Sequence, residues 1–348
     1  MCEHKTIPVQ EAVGHVLAHD ITEIRRGRFK GAAFRRGHVV RPEDVEHLRD
    51  LGKEHLYVLE VGEDELHEDD AVRLLAEALA GPGVVLSGEP REGRINFLAA
   101  RDGLFRVKVE ALLAFNLLGE VMCATLHTHR FVRAGKVLGG TRPIPLVIRR
   151  QVVEEAVRIA RDAGGILQVQ PLPSRRVGVV ITGNEVYHGR IQDGFAPVLR
   201  KKIADLGSTI AGIAYAPDRV DAIRREMEHL LLTGAECLVL TGGMSVDPDD
   251  VTRQAIRDMG TRDIAYGAAV LPGSMFLVGY LSTSRGEVPV VGVPACALYH
   301  AATVFDLVFP RILSGERVGR RELAALGHGG LCEDCPTCHF PACAYGKG

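Results

Sequence analysis

The chain has 348 residues, of which 46% are hydrophobic and 25% are charged, a composition typical of a folded globular protein and not of a disordered one. Its 42 basic and 44 acidic residues give a formal charge of -2, which offers no broad positive surface to nucleic acid or to an anionic membrane. No secretory signal opens the chain and no apolar run reaches membrane-spanning length, so we expect a cytoplasmic protein.

The first half of the chain predicts an α+β region. Apolar spacing and glycine positions predict an opening helix at Val9–Ala18, a strand region at Ile24–Val40, a helix at Pro42–Leu51, a strand at His55–Leu59, a helix at Ala71–Ala80, a helical period at Val107–Glu120, a strand at Val121–Leu126 and a helix at Val147–Ala163. The prolines at positions 171 and 173 then mark the end of this region, residues 1–172.

Beyond those prolines, short apolar strands alternate with helices, which is typical of a mostly parallel sheet covered on both faces. Strands are predicted at Val177–Ile181, Thr209–Tyr215, Cys237–Leu240 and Val288–Val291, and helices at Ala196–Leu206, Asp218–Leu232, Asp249–Met259 and Ala297–Leu313. The fold class is therefore α/β: we predict a three-layer α/β/α domain at residues 173–315, followed by a cysteine-rich tail at residues 316–348.

The most informative segment is a buried strand that ends at two glycines, Gly242 and Gly243, shortly before a helix. Without Cβ atoms, these residues let backbone N–H groups approach an anion such as phosphate. Three carboxylates follow, at Asp247, Asp249 and Asp250, and together they favour a divalent cation such as Mg²⁺ beside the phosphate. The alternative for any one of them is capping of the helix.

The first strand of this domain ends in a similar way, with glycine and an acidic residue in Thr182-Gly183-Asn184-Glu185. Ligands of open α/β sheets collect at the carboxyl ends of strands. We therefore predict that the two strand ends meet around one anion and its counter-cation, although each motif alone also fits a simple turn.

Four short blocks resemble, in order and in spacing, the molybdopterin-binding domain of the molybdopterin molybdenumtransferase family. They are Thr182-Gly183-Asn184-Glu185, Thr241-Gly242-Gly243-Met244-Ser245-Val246, Pro272-Gly273-Ser274-Met275 and Gly292-Val293-Pro294. Residues 9–21 and 34–58 are also similar to the opening segment of that family. With its cysteine tail, the whole chain resembles a bacterial branch described as molybdopterin-binding proteins.

The resemblance implies insertion of molybdate into the dithiolene of adenylylated molybdopterin, with Mg²⁺ present and AMP released. It implies a homodimer and a molybdoenzyme client that receives the cofactor. Glu185 and Asp250 correspond to acidic residues that position metal and nucleotide phosphate, and Glu236 stands where the family usually carries aspartate, so these three are the catalytic candidates. The implied cofactor contacts are Thr182, Gly183, Asn184, Thr241, Gly242, Gly243, Met244, Ser245, Asp247, Pro272, Gly273 and Pro294.

Several residues depart from the family pattern. Asn184 replaces an acid, Ser274 and Met275 replace Lys-Pro, and residues 295–297 replace Gly-Asn-Pro after Pro294. Asn184 and Ser274 remove charges that could bind metal, phosphate or molybdate, and residues 295–297 remove a tight turn and a side-chain amide. A noncatalytic carrier, storage or sensor protein for the cofactor is therefore the alternative function, and nucleotide hydrolysis, as in the competence-associated relatives of this fold, is a third reading that Asn184 disfavours.

The tail carries four cysteines, Cys332, Cys335, Cys338 and Cys343, at gaps of two, two and four residues. Thiols this close together can converge on one metal centre, so we predict an iron-sulfur cluster or Zn²⁺ there. His339 is an alternative fourth ligand. Unprotected thiols in an exposed tail would be open to oxidation, which argues against a role without metal.

Three further residues are candidates with a plain structural alternative. His127 and His129 occupy alternate positions of a predicted strand and so share one face, where they could bind a metal or an oxyanion or simply face solvent. Cys296 follows Pro294 at a predicted helix start, where it could contact the dithiolene or be a buried, inert thiol.

Overall fold

The computed structural model describes residues 6–25, 29–58, 62–245, 247 and 250–347. The chain divides into two compact units. The first comprises Met1–Arg101, Phe105–Thr128 and Arg133–Val169, and the second comprises Asp102–Leu104, His129–Val132 and Gln170–Gly348. No helix in the described ranges combines the length and the apolar character of a membrane span. The domain boundaries after residues 172 and 315 stay a prediction.

Up to residue 170, the described chain contains short strands and helices that belong mainly to the first unit. The strands are β1 (Thr6–Pro8), β2 (Ile21–Arg25), β3 (Phe29–Phe34), β4 (His55–Tyr57), β5 (Glu65–His67), β6 (Val84–Leu86), β7 (Ile95–Ala99), β8 (Gly103–Val107), β9 (Val121–Thr125), β10 (Arg130–Val132), β11 (Val137–Pro143), β12 (Val147–Arg149) and β13 (Leu167–Gln170). The helices are α1 (Asp44–Asp50), α2 (Glu68–Leu79), α3 (Val109–Asn116) and α4 (Arg150–Asp162), with a 3₁₀ turn at Val9–Glu11.

Helix α2 organises the larger sheet of this unit. The apolar side chains of Val72, Leu75 and Leu79 recur at helical spacing and are fully buried, while the acidic first turn faces the positive end of the helix dipole. The helix contacts α4 and the strands β7 and β11 of an antiparallel sheet with the order β6-β7-β11-β9. The α+β character predicted for this region is confirmed.

The predicted opening helix at residues 9–18 is wrong. Only Val9–Glu11 form a 3₁₀ turn, and the chain then pairs with residues 38–40: the N–H of Gly14 donates to the carbonyl of Val40 at 2.8 Å, and that of Leu17 donates to the carbonyl of His38 at 2.9 Å. The apolar residues have helical spacing, but these backbone hydrogen bonds to a neighbouring segment override it.

The second unit is built on a six-stranded sheet with helices on both faces. Its strands are β14 (Arg176–Thr182), β15 (Thr209–Ala216), β16 (Cys237–Thr241), β17 (Arg262–Tyr266), β18 (Leu277–Thr283) and β19 (Gly286–Val293). Its helices are α5 (Asn184–Tyr187), α6 (Phe195–Asp205), α7 (Val220–Leu232), α8 (Thr252–Asp258), α9 (Val304–Leu313) and α10 (Arg320–Ala325), with a 3₁₀ turn at Ala295–Leu298.

The strand order is β15-β14-β16-β19-β18-β17, in which β15, β14, β16 and β19 run parallel and β18 is antiparallel to both of its neighbours. Two separate hydrophobic clusters cover the two faces. Val179 packs with α6 and α9 in one cluster, and Val180 packs with α7 and α8 in the other. Successive strand residues point to opposite faces, so both sides of β14 are buried. This confirms the predicted α/β sandwich with a mostly parallel sheet.

Candidate functional site

All four sequence blocks that resemble the molybdopterin-binding family lie at one edge of the six-stranded sheet. The register pairs Ile181 with Thr241 and Thr241 with Val293, so β14, β16 and β19 end side by side. Leu277, the first residue of the antiparallel strand β18, pairs with Gly292, which places the preceding Pro272-Gly273 segment at the same edge. The sequence prediction that separate strand ends meet is therefore confirmed for the backbone.

Buried hydroxyl groups join the two central strand ends to helix α8. The hydroxyl of Thr182 donates to the carbonyl of Thr241 at 2.9 Å, and it lies 3.0 Å from the hydroxyl of Thr252, the first residue of α8. Since the Thr182 hydrogen is used on the carbonyl, the Thr252 hydroxyl is the donor between the two. The hydroxyl of Thr241 is also buried and has no hydrogen-bond partner among the described residues. A buried polar atom without a partner is costly, so this strand end carries a local energetic penalty within the described structure.

The backbone at Gly242 requires glycine. Its φ is +82°, and a Cβ atom there would lie 2.6 Å from the hydroxyl oxygen of Thr182. Any side chain would therefore be strained in backbone conformation and would also collide with the neighbouring strand end. The result is a tight turn that leaves backbone N–H groups without side chains around them, as a phosphate cradle needs.

A third strand end, that of β15, contributes to the site through Asp218. The N–H of Asn184 donates to the Asp218 carboxylate at 2.8 Å, and the side-chain oxygen of Asn184 accepts from the N–H of Asp218 at 3.2 Å. Asn184 is therefore engaged in a reciprocal pair with its neighbour. Asp218 was not among the residues predicted from the sequence, although an acidic residue just after a strand of a parallel sheet was a usable signal.

The predicted acidic residues sit around these turns. Glu185 is exposed on the short helix α5, close to Gly183, and Asp250 is half-buried, with its N–H donating to the carbonyl of Asp247 at 3.0 Å. Asp249, the third carboxylate of the predicted group, lies outside the described residues, as does Val246 of the motif. That the Glu185 and Asp250 side chains meet around one ligand and its metal ion stays a prediction.

The protein side chains at this edge would be too few to hold Mg²⁺ by themselves, so the predicted Mg²⁺ site requires oxygen atoms from the bound ligand. No three His, Cys, Asp or Glu side chains among the described residues are arranged to hold a metal ion. Mg²⁺ at phosphate sites takes one or two carboxylates, and phosphate and water oxygens complete its octahedron. The role of Glu185 and Asp250 as the carboxylate ligands of such an ion stays a prediction.

Met244 is part of the packing beneath the loop. Its side chain is buried, with its sulfur against Gly292 of β19, and the hydroxyl of Tyr266 donates to its backbone carbonyl at 2.7 Å. Ser245, the next residue, is exposed. Any contact of Met244 with a cofactor would therefore be made by its backbone.

The Pro272-Gly273 segment is fixed by helix α9. Gly273 has a φ of +125°, and a Cβ atom there would lie 2.8 Å from the Cβ atom of Val304, the first residue of α9. The carbonyl of Pro272 accepts from the N–H of Val304 at 3.3 Å, and the peptide bond before Pro272 is cis. These contacts hold the segment at the carboxyl edge of the sheet.

The turn after β19 contains the other predicted residues of this edge. Pro294 and Ala297 are buried, and Cys296 is half-buried. Burial raises the pKa of the Cys296 thiol, which favours the protonated form. The raised pKa agrees with the alternative that Cys296 is a buried, inert thiol. In addition, the segment forms a 3₁₀ turn and not the predicted α-helix start that would have stabilised a thiolate.

Glu236 lies at the opposite edge of the sheet. It precedes β16, so about 20 Å of extended strand separate it from Gly242 at a rise of roughly 3.3 Å per residue. Its carboxylate accepts from the N–H of Arg176 at 2.9 Å and lies 3.7 Å from the guanidinium of Arg175. This position does not support the predicted catalytic role, and the contacts are those of a residue that joins two strand starts.

His127 and His129 do not lie on a strand. Strand β9 ends at Thr125, and His129 has a φ of +62°, so the alternation that would place both imidazoles on one face does not apply. The prediction of a shared face is wrong. His129 lies 3.9 Å from Glu316 in the second unit.

The four tail cysteines line one cavity of about 270 Å³, together with Tyr299 and His300. Cys332 and Cys343 are half-buried, whereas Cys335 and Cys338 are exposed, and none of these four thiols is in a disulfide. The prediction that they could converge is consistent with this shared cavity, and the metal itself stays a prediction.

Comparison with known proteins gives two family matches. Residues 6–60 match a family model described as "Domain of unknown function (DUF8806)". Residues 178–314 match the model described as "Probable molybdopterin binding domain", which spans the sheet and the edge described above.

Curated relatives include a CinA-like protein from Mycobacterium avium (strain 104), 32% identical over 97 residues that make up 28% of this chain and 22% of that protein. A second CinA-like protein, from Mycobacterium tuberculosis (strain ATCC 25177 / H37Ra), is 34% identical over 83 residues, 24% of this chain and 19% of that protein. The chain thus spans about a fifth of the length of these relatives.

Similar solved structures include the tungsten cofactor synthesizing protein MoaB from Pyrococcus furiosus, at 14% identity over 42% of this chain and 98% of that chain, with a TM-score of 0.33. A molybdenum cofactor biosynthesis protein from the same organism matches over 93% of this chain and 65% of that chain, at 14% identity and a TM-score of 0.26. The segment that carries the strand-end motifs, residues 178–314, is thus similar to the family described as "Probable molybdopterin binding domain".

Proposed function

We propose that the chain binds molybdopterin as its AMP ester at the carboxyl edge of the six-stranded sheet and inserts molybdate into it, releasing AMP. The observation that carries the proposal is the junction of two neighbouring strand ends, where Thr182, Thr241 and Thr252 are tied together beneath Gly242. This junction carries a turn that requires glycine at the carboxyl edge of the sheet, and such a turn favours a phosphate-bearing ligand.

Each residue at this edge has a role in the proposal. The backbone at Gly183, Gly242 and Gly243 and the exposed hydroxyl of Ser245 bind the phosphate of the pterin. Glu185 and Asp250 would hold Mg²⁺, which when bound neutralises phosphate charge. Asp218 holds Asn184 in place and so positions the turn that carries Glu185.

The test measures AMP release after molybdate is added to protein loaded with adenylylated molybdopterin. Asp250→Asn should slow release by roughly a hundredfold or more, because it removes a charge that acts on the reacting phosphate. Asp205→Asn is the matched control: it removes the same charge from an exposed position at the end of α6, where the chain turns toward the amino edge of the sheet. Equal rates in the two variants would remove Asp250 from the mechanism.

A noncatalytic cofactor carrier or sensor is the second candidate, and the Asn184–Asp218 pair favours it. An uncharged amide that is already hydrogen-bonded to its neighbour adds no negative charge for a metal and no base for hydrolysis. In the same titration, tight retention of AMP after molybdate addition supports the carrier, and prompt release supports the transferase. Cleavage of simple dinucleotides would instead support nucleotide hydrolysis.

We further propose a cytoplasmic homodimer that passes its product to a molybdoenzyme. The resemblance to the transferase family supports both parts. Light scattering coupled to size-exclusion chromatography measures the first directly, because a dimer has twice the chain mass of 37.7 kDa. A monomeric mass at micromolar concentration would contradict it.

A further inference from the structure

The cysteine tail is attached to the Pro272 segment of the candidate site. The N–H of Cys332 donates to the carbonyl of Leu271 at 2.8 Å, and the N–H of Leu271 donates to the carbonyl of Gly330 at 2.8 Å. These two bonds form a short parallel bridge between Leu271 and Leu331. The first cysteine is therefore fixed to the backbone one residue before Pro272.

The other end of the tail returns to the same place. The hydroxyl of Tyr345 donates to the carbonyl of Pro272 at 3.2 Å, and Tyr345 is buried against the core of the second unit. The N–H of Gly346 donates to the carbonyl of Gly329 at 2.8 Å, which closes the loop. Both ends of the cysteine segment are thus anchored, and the segment between them is a loop of defined span.

The four thiols differ in burial in a way that suits metal capture. Cys332 and Cys343 pack against the core near the anchored ends, whereas Cys335 and Cys338 are exposed in the middle of the loop. All four line the same cavity, although no three of them are placed around one point in the described chain. Two half-buried ligands near the anchored ends and two exposed ligands between them can close on an ion if the exposed turn shifts.

Cys123 and Cys237 lack these properties. Burial raises the pKa of Cys237 to about 12 and that of Cys123 to about 12, so both remain protonated thiols inside hydrophobic cores. In the tail, by contrast, four cysteines line one cavity.

We propose that Cys332, Cys335, Cys338 and Cys343 bind a thiophilic metal centre, either Zn²⁺ or an iron-sulfur cluster, and that this centre holds the Pro272 segment in its cofactor-binding position. Binding replaces the four thiol protons with metal-sulfur bonds, and the protons leave to solvent. The metal site stands on the tail alone, whereas its effect on cofactor affinity rests on the proposed function.

The first experiment measures metal in the full chain purified without oxygen. Iron with acid-labile sulfide and brown absorbance identifies a cluster, and about one zinc per chain in a colourless protein identifies a zinc site. Cys335→Ser combined with Cys338→Ser should lower the metal content at least about tenfold, because a thiolate site that loses two of its ligands binds metal far more weakly. Both substituted residues are exposed, so the core is not disturbed.

Thr337→Ser is the matched control, since Thr337 is exposed in the same loop between the two substituted cysteines and carries no thiol. It should keep its metal, and so should His339→Gln if the four thiolates are the ligands. Absence of bound metal even after incubation with Zn²⁺, or with iron and sulfide under reducing conditions, overturns the proposal. Retention of metal by the double cysteine variant overturns it as well.

The second experiment tests the coupling without any cofactor. Hydrogen exchange at the Leu271 and Cys332 amides should become roughly tenfold faster or more when the metal is removed, because those amides join the tail to the Pro272 segment. Unchanged exchange overturns the coupling. If exchange responds to metal but the protein binds no molybdopterin in either state, the proposed function fails and the metal site stands.

Discussion

The glycine at the end of β16 allows a quantitative test of the site geometry. Replacing Gly242 by alanine forces a side chain into a left-handed backbone conformation, which costs about 1–2 kcal/mol. The new Cβ atom would also lie 2.6 Å from the hydroxyl oxygen of Thr182, and crowding of this kind in a packed site costs about 1–3 kcal/mol. We therefore expect Gly242→Ala to lower the free energy of unfolding by about 2–5 kcal/mol and to abolish cofactor binding.

The matched control is Gly207→Ala. Gly207 has nearly the same backbone conformation, with a φ of +77°, but an added Cβ atom would meet nothing within 4 Å. Gly207→Ala therefore has the free-energy cost of the left-handed backbone without the steric clash. Both variants lower the entropy of the unfolded chain to the same extent, so this effect cancels in the comparison. Urea unfolding followed by far-ultraviolet circular dichroism measures both, since the chain has no tryptophan for fluorescence. Equal losses in the two variants would refute the close approach of Gly242 to Thr182.

Three further predictions test other contacts. Thr252→Val should cost about 1 kcal/mol of unfolding free energy in the same urea assay, because it removes the hydroxyl that donates to Thr182, and Thr252→Ser should restore most of it. Burial lowers the pKa of His67 below its usual 6.5, so the unfolded chain takes up the proton first and stability falls as the pH drops below about 6.5; His67→Gln should flatten this decline in urea unfolding followed across pH. Tyr266→Phe should cost about 1 kcal/mol and weaken cofactor retention in equilibrium dialysis, since it removes the hydrogen bond to the Met244 carbonyl.

The sequence predicted the central strands well because they are buried on both faces. Residues 177–181 and 237–240 are continuous apolar runs, which is the pattern of a parallel strand covered by helices. Strands β17 and β18 were missed. They belong to the antiparallel end of the sheet, where Arg262–Tyr266 begins with two exposed charged residues and a register shift, so neither a continuous apolar run nor a strict alternation marks it.

The site could be predicted as far as strand direction and local motifs allow. The turns at Gly183 and Gly242 follow their strands directly, so the parallel order brings them together. Glu236 was carried over because it stands where the resembling family usually has aspartate, yet it precedes the strand and so lies at the far edge. The attachment of the tail to Leu271 depends on a hydrogen bond between residues 61 positions apart, which no local pattern encodes.

The packing of Met244 also means that its oxidation can be used to measure opening of the turn after β16. Its side chain is buried with the sulfur against Gly292, so we expect an oxidant to reach the sulfur when the turn after β16 lifts away from β19. A sulfoxide oxygen would not fit that space and would add a polar group to the core. The rate at which dilute peroxide adds one oxygen to this methionine, followed by peptide mass spectrometry, therefore counts the openings of the turn. A ligand bound at the carboxyl edge of the sheet should slow this oxidation. In oxidised protein, the turn after β16 should lose its structure before the sheet does.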